Sequence, residues 1–446
     1  MDVETEIHCD LAVIGAGMAG MAASLFAANR GIDTVQIGIA SQIIFSSGLL
    51  DLLAVHPVEE GRTWDNPWEA LDRLSGDLPD HPYSRIKKSH IRKALAETVV
   101  FLADSGLAYQ VNEERNSHVI TSLGTRKQTY YVPRTMWNGV QALHEKKPGL
   151  IIDIRGLRGF SARQIAETLK PVWPGVRHER IEFPDMRSVQ EMYTEPMARS
   201  LAVPENRKKL ADIIRPLIKD ARIVGVPAIL GMQDSQDVQQ DLKDMIGVPL
   251  FEIPTMPPSI PGLRIRETFE MKLPEKGVRL KYRNRVSRIS KNNDEFLLEV
   301  GNDAPVSRIH ARGVILATGR FLGKGLYADR KTIREPLLDL PVYQPGVRPE
   351  WHRFDFMDPR GHLINQAGLE IDNRFRPLDG SGKPADDNLF AAGSILAHQD
   401  WMRMKCGSGL AIATAYAAVN AFLKTTSKIR SVRKAVSWSK SRKDPG

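Results

Sequence analysis

The sequence predicts an α/β fold, in which a Rossmann-like dinucleotide-binding domain carries a β-meander and is interrupted by an inserted α/β domain. An apolar run at residues 11–14 passes through a glycine-rich turn into a helix-forming stretch, in the order that such a domain requires. Two later apolar strands end in turns of small residues, at Gly319 and Gly393. Between residues 278 and 311 the pattern changes to short alternating strands, which is typical of an antiparallel meander.

The first glycine turn, residues 15–20, has the spacing G-x-G-x-x-G with Ala16 as its second member. Gly15 allows a tight turn, Gly17 lets the backbone approach a pyrophosphate, and Gly20 lets helix and strand pack closely. The diphosphate then lies on the free N–H groups at the helix N-terminus. Strand, turn and helix follow here in the order that the motif requires. A purely structural glycine-rich turn is the alternative.

The ribose half of this fingerprint is missing. An acidic residue is expected at the end of the second strand, where it would bind the adenosine ribose. The strand that ends near Gly38 is followed instead by Ile39, Ala40 and Ser41. The sequence therefore predicts a phosphate site with a weak or absent adenosine contact.

Bulk composition is that of a globular chain long enough for two or three domains, with 446 residues, 42% of them hydrophobic and 26% charged. Its two cysteines offer neither a disulfide framework nor a zinc or iron–sulfur ligand set, so no metal centre is expected. No export signal or spanning helix is recognisable. We expect a cytoplasmic protein, or one that is peripheral on the cytoplasmic face of the inner membrane.

The net charge of +9 is concentrated in the C-terminal tail, where residues 424–446 carry eight basic groups against the single acid Asp444. The rest of the chain is close to neutral, so nucleic acid is not an expected partner. We expect this tail to be flexible and, as a second interpretation, to bind an anionic lipid surface or an acidic partner.

The predicted domains follow from these patterns. Residues 1–134 form the first part of the binding domain, and residues 135–253 form the inserted α/β domain with its own strand–turn–helix units. Residues 254–423 complete the binding domain, include an irregular segment at 331–384, and end in a helix over Leu410–Leu423.

Several glycine-containing turns together resemble flavoproteins of the glutathione-reductase type. In that class the first turn holds the diphosphate, an A-T-G turn ends the strand after the meander, and a last glycine motif precedes a helix aimed at the flavin. The residues that this resemblance assigns to the cofactor are Gly15, Ala16, Gly17, Gly20, Ser46, Ser47, Gly48, Ala317, Thr318, Gly319, Gly393, Ser394, Cys406, Gly407, Ser408 and Gly409.

Three members of this set have alternative interpretations from the residues alone. Ser46 or Ser47 would equally serve as the N-cap of an ordinary helix. Cys406 precedes a predicted helix, where its thiol would be acidified, but a small buried hydrophobe is the other interpretation.

The resemblance narrows further to the family of anaerobic glycerol-3-phosphate dehydrogenase B subunits. The segments that carry it are Phe45-Ser46-Ser47-Gly48, His81-Pro82-Tyr83-Ser84, Leu123-Gly124-Thr125, Pro254–Ser259, Ile333-Arg334-Glu335-Pro336, Gly393-Ser394 and Cys406–Gly409. It implies a flavoprotein, assigned FMN, that pairs with a catalytic A subunit. A third, iron–sulfur subunit docks this dimer on the membrane and passes electrons to quinone, with fumarate or nitrate as terminal acceptor.

Two points of the resemblance stay open. FMN has no pyrophosphate, whereas the first glycine turn is built for one, so the motif favours FAD and the family favours FMN. The chain also departs from the family by carrying Ala397 and His398 where members have glycines, and by the bulky run at residues 401–405. Because this run lies between two flavin motifs, access to the flavin is expected to differ here.

The leading hypothesis is a flavin subunit in the oxidation of sn-glycerol 3-phosphate to dihydroxyacetone phosphate. The reaction needs a hydride acceptor and a base for the hydroxyl proton. His81 and His398 are the candidate bases, and Arg334 is the candidate phosphate ligand. The alternatives are a non-catalytic electron-transfer or assembly flavoprotein and, more distantly, an NAD-dependent oxidoreductase.

Overall fold

The computed structural model describes residues 5–39, 42–186, 191–292, 294–302 and 306–440, the last fourteen of these by their backbone only. The first part of the chain forms β1 (Glu6–Ile14), α1 (Met18–Ala28), β2 (Thr34–Gly38), α2 (Pro67–Asp77), α3 (Lys88–Asp104), β3 (Tyr109–Val111), β4 (Ser117–Ile120), β5 (Arg126–Thr129) and β6 (Tyr131–Pro133). The middle forms α4 (Arg134–Glu145), β7 (Gly149–Ile154), α5 (Ala162–Leu169), β8 (Val176–Ile181), α6 (Thr194–Ser200), α7 (Pro204–Ile214), β9 (Ile223–Pro227), α8 (Ser235–Ile246) and β10 (Leu250–Ile253). The last part forms α9 (Ile260–Glu275), β11 (Arg279–Tyr282), β12 (Val286–Asn292), β13 (Glu295–Val300), β14 (Ser307–Leu316), β15 (Tyr327–Ala328), β16 (Ile333–Arg334), β17 (Val342–Tyr343), β18 (Gly368–Leu369), β19 (Leu389–Ala391), α10 (Trp401–Met404) and α11 (Gly407–Lys440).

The larger sheet has the order β11-β2-β1-β14-β13-β12, with β19 beside β14. Strands β11, β2, β1, β14 and β19 run parallel, whereas β12, β13 and β14 form an antiparallel meander. Residues 11–14 are fully buried because helices cover this part of the sheet. Helices α1 and α11 pack there against each other, with Phe26 and Tyr416 in edge-to-face contact at 5.2 Å between ring centroids.

Strand β14 joins the two halves of this sheet. The sequence predicts separate strands on either side of Arg312, but the backbone continues through it as one ten-residue strand. The first half of β14 pairs with β13 and the second half with β19, while β1 runs beside nearly all of it. The meander is therefore covalently continuous with the strand that ends at the second glycine turn, residues 317–319.

A second sheet, with the order β10-β9-β7-β8 and all strands parallel, lies within residues 149–253. It has its own apolar core around Leu150, Ile152 and Phe251. The segment predicted as an inserted α/β domain, 135–253, contains this sheet and helices α5 to α8, and α4 begins one residue earlier.

A buried ion pair fixes the inserted sheet to the binding domain. Nη1 of Arg264, on α9, lies 2.7 Å from Oε2 of Glu252, on β10, and both side chains are almost completely buried. Thr135 and the N–H of Leu230 donate further hydrogen bonds to the same carboxylate. Arg264 and these hydrogen bonds hold the pKa of Glu252 below its usual value despite the opposing effect of burial.

The prediction that the last helix ends at Leu423 is wrong. The backbone of α11 continues through Lys440, because the sequence from 410 to 440 contains no glycine or proline and is rich in good helix formers. The remainder of the predicted tail, residues 441–446, lies outside the described residues.

In the predicted irregular segment, 331–384, the regular strands are the two-residue strands β16 to β18. Among the described residues, no helix is both long enough and apolar enough to cross a membrane.

Candidate functional site

The first glycine turn combines tight packing with one open position. A β-carbon on Gly15 would lie 2.1 Å from the carbonyl oxygen of Ala317, and one on Gly20 would lie 2.0 Å from the carbonyl oxygen of Gly15. Both positions therefore exclude a side chain. A β-carbon on Gly17 would meet no atom within 4 Å. Gly17 thus faces open space at the start of α1, where no side chain caps the helix.

The first, second and third glycine turns meet at the carboxyl ends of β1, β14 and β19. The N–H of Ala317 donates to the carbonyl of Ile14 over 2.8 Å, and the N–H of Ala392 donates to the carbonyl of Leu316 over 3.0 Å. A β-carbon on Gly393 would lie 2.6 Å from the Cβ of Ala19, on α1. The third glycine turn, residues 393–394, therefore closes against the first. Binding at the carboxyl ends of parallel strands is the rule for sheets of this kind.

The helix-start motif, residues 406–409, is bonded to the chain that follows the serines at 46 and 47. The N–H of Asp51 donates to Oγ of Ser408 over 2.6 Å, and the N–H of Gly409 donates to the carbonyl of Asp51 over 2.7 Å. Further along α11, Oγ1 of Thr414 accepts the N–H of Gly393 over 2.8 Å. Helix α11 therefore links the serine loop, residues 46–48, to the third glycine turn.

Two hydroxyls beside these turns are buried and unpartnered. Oγ of Ser46 and Oγ1 of Thr318 have no hydrogen-bond partner among the described residues. The single-turn 3₁₀ helix Gln42–Phe45 ends before the serines, and no described helix begins again until Pro67, so neither serine caps a helix. The helix-cap interpretation of Ser46 and Ser47 is therefore wrong.

These features fit a flavin dinucleotide. The open position at Gly17 and the uncapped start of α1 suit a diphosphate, and the orphaned hydroxyls suit the polar edge of a ring. At the end of β2, where an acidic residue would bind the adenosine ribose, the strand ends at Gly38, which packs against Ala16. Ala40 and Ser41 lie outside the described residues. No carboxylate ends β2 within the part of the chain that the structure describes.

Cys406 is fully buried, and burial raises the pKa of its thiol. The negative charges of Asp51 and Asp400 raise this pKa further. Cys406 is therefore a small buried hydrophobe, and the alternative of an acidified thiol is wrong. Trp401, in the bulky run at residues 401–405, packs on the start of α11, since a β-carbon on Gly407 would lie 2.8 Å from its ring.

His81 is completely buried, and burial is the main cause that lowers its pKa to about 3. Its Nδ1 accepts the N–H of Tyr83 over 3.1 Å, so Nε2 carries the proton of the neutral ring. This Nε2–H group has no partner among the described residues. The arrangement suits a hydrogen-bond donor, and it corrects the expectation that His81 acts as a base.

His398 has the geometry of an oriented imidazole. Its Nε2 lies 2.9 Å from Oε1 of Glu370, and its ring packs on Tyr343 with the centroids 4.1 Å apart. Its backbone has φ +62, in the left-handed region that favours glycine. His398 is thus held in a strained conformation, of a kind that occurs preferentially at functional sites.

Arg334 is 58% exposed and pairs with Asp329 at 3.4 Å. The neighbouring carboxylate of Glu335 instead accepts the N–H groups of Leu337 and Leu338. No hydrogen bond or ion pair in the described residues joins Arg334 to the glycine turns.

Two cationic residues near the turns were missed by the sequence analysis. Arg320 follows the second glycine turn directly and is half-buried. It donates to backbone carbonyls that include that of Ser394 at 2.8 Å, and desolvation lowers its pKa to about 10. Its position after A-T-G was the available signal. Lys405 precedes the helix-start motif and has φ +55. Burial is the main cause that lowers the pKa of its ammonium, and the positive charge of Lys127 is the second cause. Its ammonium has no hydrogen bond or ion pair among the described residues, whereas Lys127 is paired with Asp51 at 2.8 Å.

Comparison with known proteins identifies the class. Residues 10–410 match the family described as FAD binding domain. The chain is 30% identical to the B subunit of an anaerobic glycerol-3-phosphate dehydrogenase of Vibrio vulnificus, over 93% of this chain and 96% of that protein. It is 32% identical to a probable B subunit of the same kind from Halobacterium salinarum, over 92% of this chain and 97% of that protein. Among solved structures, a 3-ketosteroid delta1-dehydrogenase from Sterolibacterium denitrificans is 12% identical to this chain. The superposition covers 94% of this chain and 100% of that protein, with a TM-score of 0.44.

The predicted fold class and flavin cofactor are confirmed at the level of the family, whose description names FAD and disfavours the nicotinamide alternative. The chain belongs to the FAD binding domain family and, within it, to the family of anaerobic glycerol-3-phosphate dehydrogenase B subunits.

Proposed function

We propose that this chain is the flavin-carrying B subunit of an anaerobic glycerol-3-phosphate dehydrogenase, and that it takes part in oxidising sn-glycerol 3-phosphate to dihydroxyacetone phosphate. The observation that carries the proposal is the meeting of three glycine turns around the open position at Gly17, in a chain that matches such subunits over nearly its whole length. The first, second and third glycine turns, the serine loop and the helix-start motif would hold the flavin.

Oxidation of the secondary alcohol removes a hydride from C2 and a proton from its hydroxyl. A bound flavin supplies the acceptor for that hydride. The proton needs a base, and we assign His398 to this role over His81. The Glu370 carboxylate orients the ring by accepting its Nε2–H, which leaves the lone pair of Nδ1 free to accept a proton.

The phosphate of the substrate needs a cation without a competing partner. Lys405 fits this requirement better than Arg334, because its ammonium is partly buried and unpaired, among the described residues, beside the helix-start motif. Arg334 is exposed and already paired with Asp329. The nearby N-terminus of α11 adds a favourable field for an anion.

Electrons must then leave through other proteins, because the chain has only two cysteines, both buried. The relatives are named as one subunit of a larger dehydrogenase, which supports partner subunits here. We assign these partners as a catalytic A subunit and a membrane-docking iron–sulfur subunit that passes electrons to quinone. The inserted domain, residues 135–253, is the candidate docking surface, and the basic segment from 424 onward is a candidate contact with an anionic partner or membrane.

The test compares the purified chain with the chain co-expressed with its partner subunits, using an artificial electron acceptor. We expect poor oxidation of glycerol 3-phosphate by the chain alone and robust activity in the complex. Brisk activity of the chain alone would contradict the dependence on partners. Full activity of a complex that carries His398→Gln would assign the chemistry to the partner, as in the electron-transfer alternative. Truncation after Leu423 should weaken association in a salt-dependent way and leave the flavin content unchanged.

A further inference from the structure

A pair of histidines lies on the surface of the larger sheet, away from the glycine turns. His8 on β1 and His310 on β14 are direct partners in the parallel register of the two strands. Their rings stack with the centroids 4.6 Å apart and the planes 18° apart. Opposed residues on neighbouring strands project from the same face, so both imidazoles face the same region of solvent.

A carboxylate from the third strand completes this cluster. Glu295 begins β13, which pairs with β14 on the side opposite β1. One ligand atom from each of His8, His310 and Glu295 lies within 4.8 Å of the other two. Neither the His8 ring nor the Glu295 carboxylate has a hydrogen-bond or ion-pair partner among the residues that the structure describes.

A fourth residue orients one of the imidazoles. Oε2 of Glu6, also on β1, lies 2.6 Å from Nε2 of His310. A carboxylate bonded to one nitrogen of an imidazole fixes the orientation of the ring, as carboxylates do behind metal-bound histidines. Glu6 is shared with Arg308, whose Nη1 lies 3.7 Å away.

We propose that His8, His310 and Glu295 form a surface site for a divalent transition metal ion, with Zn²⁺ as the ion of choice. Two imidazoles and one carboxylate are a ligand set that zinc uses, with a water in the remaining position. Mg²⁺ and Ca²⁺ prefer oxygen-only sites, so the two imidazoles select against them. Ligand atoms of a tetrahedral zinc site are about 3.3 Å apart, and exposed side chains reach that spacing by small rotations.

A metal at this position would tie β1, β13 and β14 together at the end of the sheet opposite the flavin turns. A metal ion that binds the folded chain and not the unfolded chain raises the stability of the fold by mass action. The site would therefore act on the sheet and leave the flavin turns untouched. The inference does not depend on the proposed function.

The test is calorimetric titration of ZnCl₂ into the full-length, flavin-loaded chain without a polyhistidine tag. We expect one Zn²⁺ per chain and no binding of MgCl₂. His8→Ala and His310→Ala should each weaken zinc binding at least about tenfold, and Glu6→Gln should weaken it by about tenfold as a positioning residue. Zn²⁺ should also raise the melting temperature of the wild type and not that of His8→Ala.

The matched control is His178→Ala, which removes another strand histidine, on β8 of the inserted domain. This variant should bind zinc like the wild type. Flavin absorbance checks that each variant is folded. A wild type that takes up no zinc, or a wild-type affinity in both His8→Ala and His310→Ala, would overturn the proposal.

Discussion

Gly393 lies directly against Ala19, so closely that a β-carbon on the glycine would be only 2.6 Å from the Cβ of that residue. The two residues belong to the last and the first of the three glycine turns. Their contact brings β19, near the end of the chain, onto the helix that follows β1. It explains why small residues recur at each turn, because side chains at these positions would separate the strand ends that form the candidate flavin site.

The open space at Gly17 predicts the effect of filling it. Gly17 has φ −84 and ψ −176, an extended conformation that valine adopts without strain. Gly17→Val should therefore fold and lose bound flavin, because its side chain would occupy the position assigned to the diphosphate. The measurement is the ratio of flavin absorbance to protein absorbance after purification.

The matched control for that variant is Gly380→Val. Gly380 is also open, with no atom within 4 Å of a β-carbon, but it lies in an exposed turn away from the glycine turns. Gly380→Val should keep its flavin. Full flavin occupancy in Gly17→Val would remove the first glycine turn from the cofactor site.

Burial of His81 predicts a pH dependence of stability. Its pKa is about 3 in the folded chain, against an ordinary value of 6.5, so between these values the unfolded chain binds more protons. Stability contributed by the neutral ring is therefore present above about pH 6.5 and is lost as the pH falls, by up to about 1.4 kcal/mol per pH unit. In His81→Asn, an amide oxygen can still accept the N–H of Tyr83, but the side chain cannot be protonated.

The free energy of unfolding of His81→Asn, measured in urea from about pH 7 to about pH 4, should thus depend less steeply on pH than that of the wild type. The variant should be less stable at neutral pH because the buried ring is lost. Parallel pH profiles for the two proteins would show that His81 is not a buried neutral histidine.

The assignment of His398 as base predicts a loss of turnover in His398→Gln. Glutamine can still donate to Glu370 but cannot accept a proton. The kcat of the complex should fall by about 10²–10⁴-fold, with less change in KM and unchanged flavin content. His352→Gln, at an exposed histidine outside the site, should leave kcat at the wild-type value. A normal kcat in His398→Gln would end this assignment.

The two candidate phosphate ligands predict different effects on KM. Lys405→Met should raise the KM for glycerol 3-phosphate by about tenfold or more, because a hydrogen bond to a charged group contributes about 1.5–3 kcal/mol. Arg334→Met should leave KM nearly unchanged, since that side chain is exposed and paired elsewhere. The reverse outcome, with KM raised only in Arg334→Met, would return the phosphate to Arg334.

Local patterns in the sequence were sufficient to predict where the strands end and where the glycine turns lie. The spacing of Gly15, Gly17 and Gly20 encodes a turn within a few residues, and the apolar runs before Gly319 and Gly393 encode buried strands. The extent of β14 was not predictable in this way, because Arg312 is charged and interrupts an apolar pattern. The strand nevertheless continues, since β1 pairs with it on both sides of that residue, at Ala311 and at Gly313. Tertiary pairing overrides local propensity at such a residue.

Contacts between residues that are far apart in the chain could not be predicted from the sequence. His8 and His310 become neighbours only once β1 and β14 pair in parallel, so neither residue signals the other. The carboxylate behind His398 is likewise on a separate segment, at Glu370. The base role expected of His81 was wrong because its burial depends on the packing of its surroundings, which a single residue type does not report.

The central claim is that the meeting glycine turns bind a flavin dinucleotide. The most direct measurement is release of the cofactor from the purified chain by acid, followed by chromatography against FAD and FMN standards. The expected product is FAD, at about one per chain, because the open turn at Gly17 accommodates a diphosphate and the chain matches an FAD-binding family. Release of FMN, or of no flavin from a folded chain, would contradict the claim.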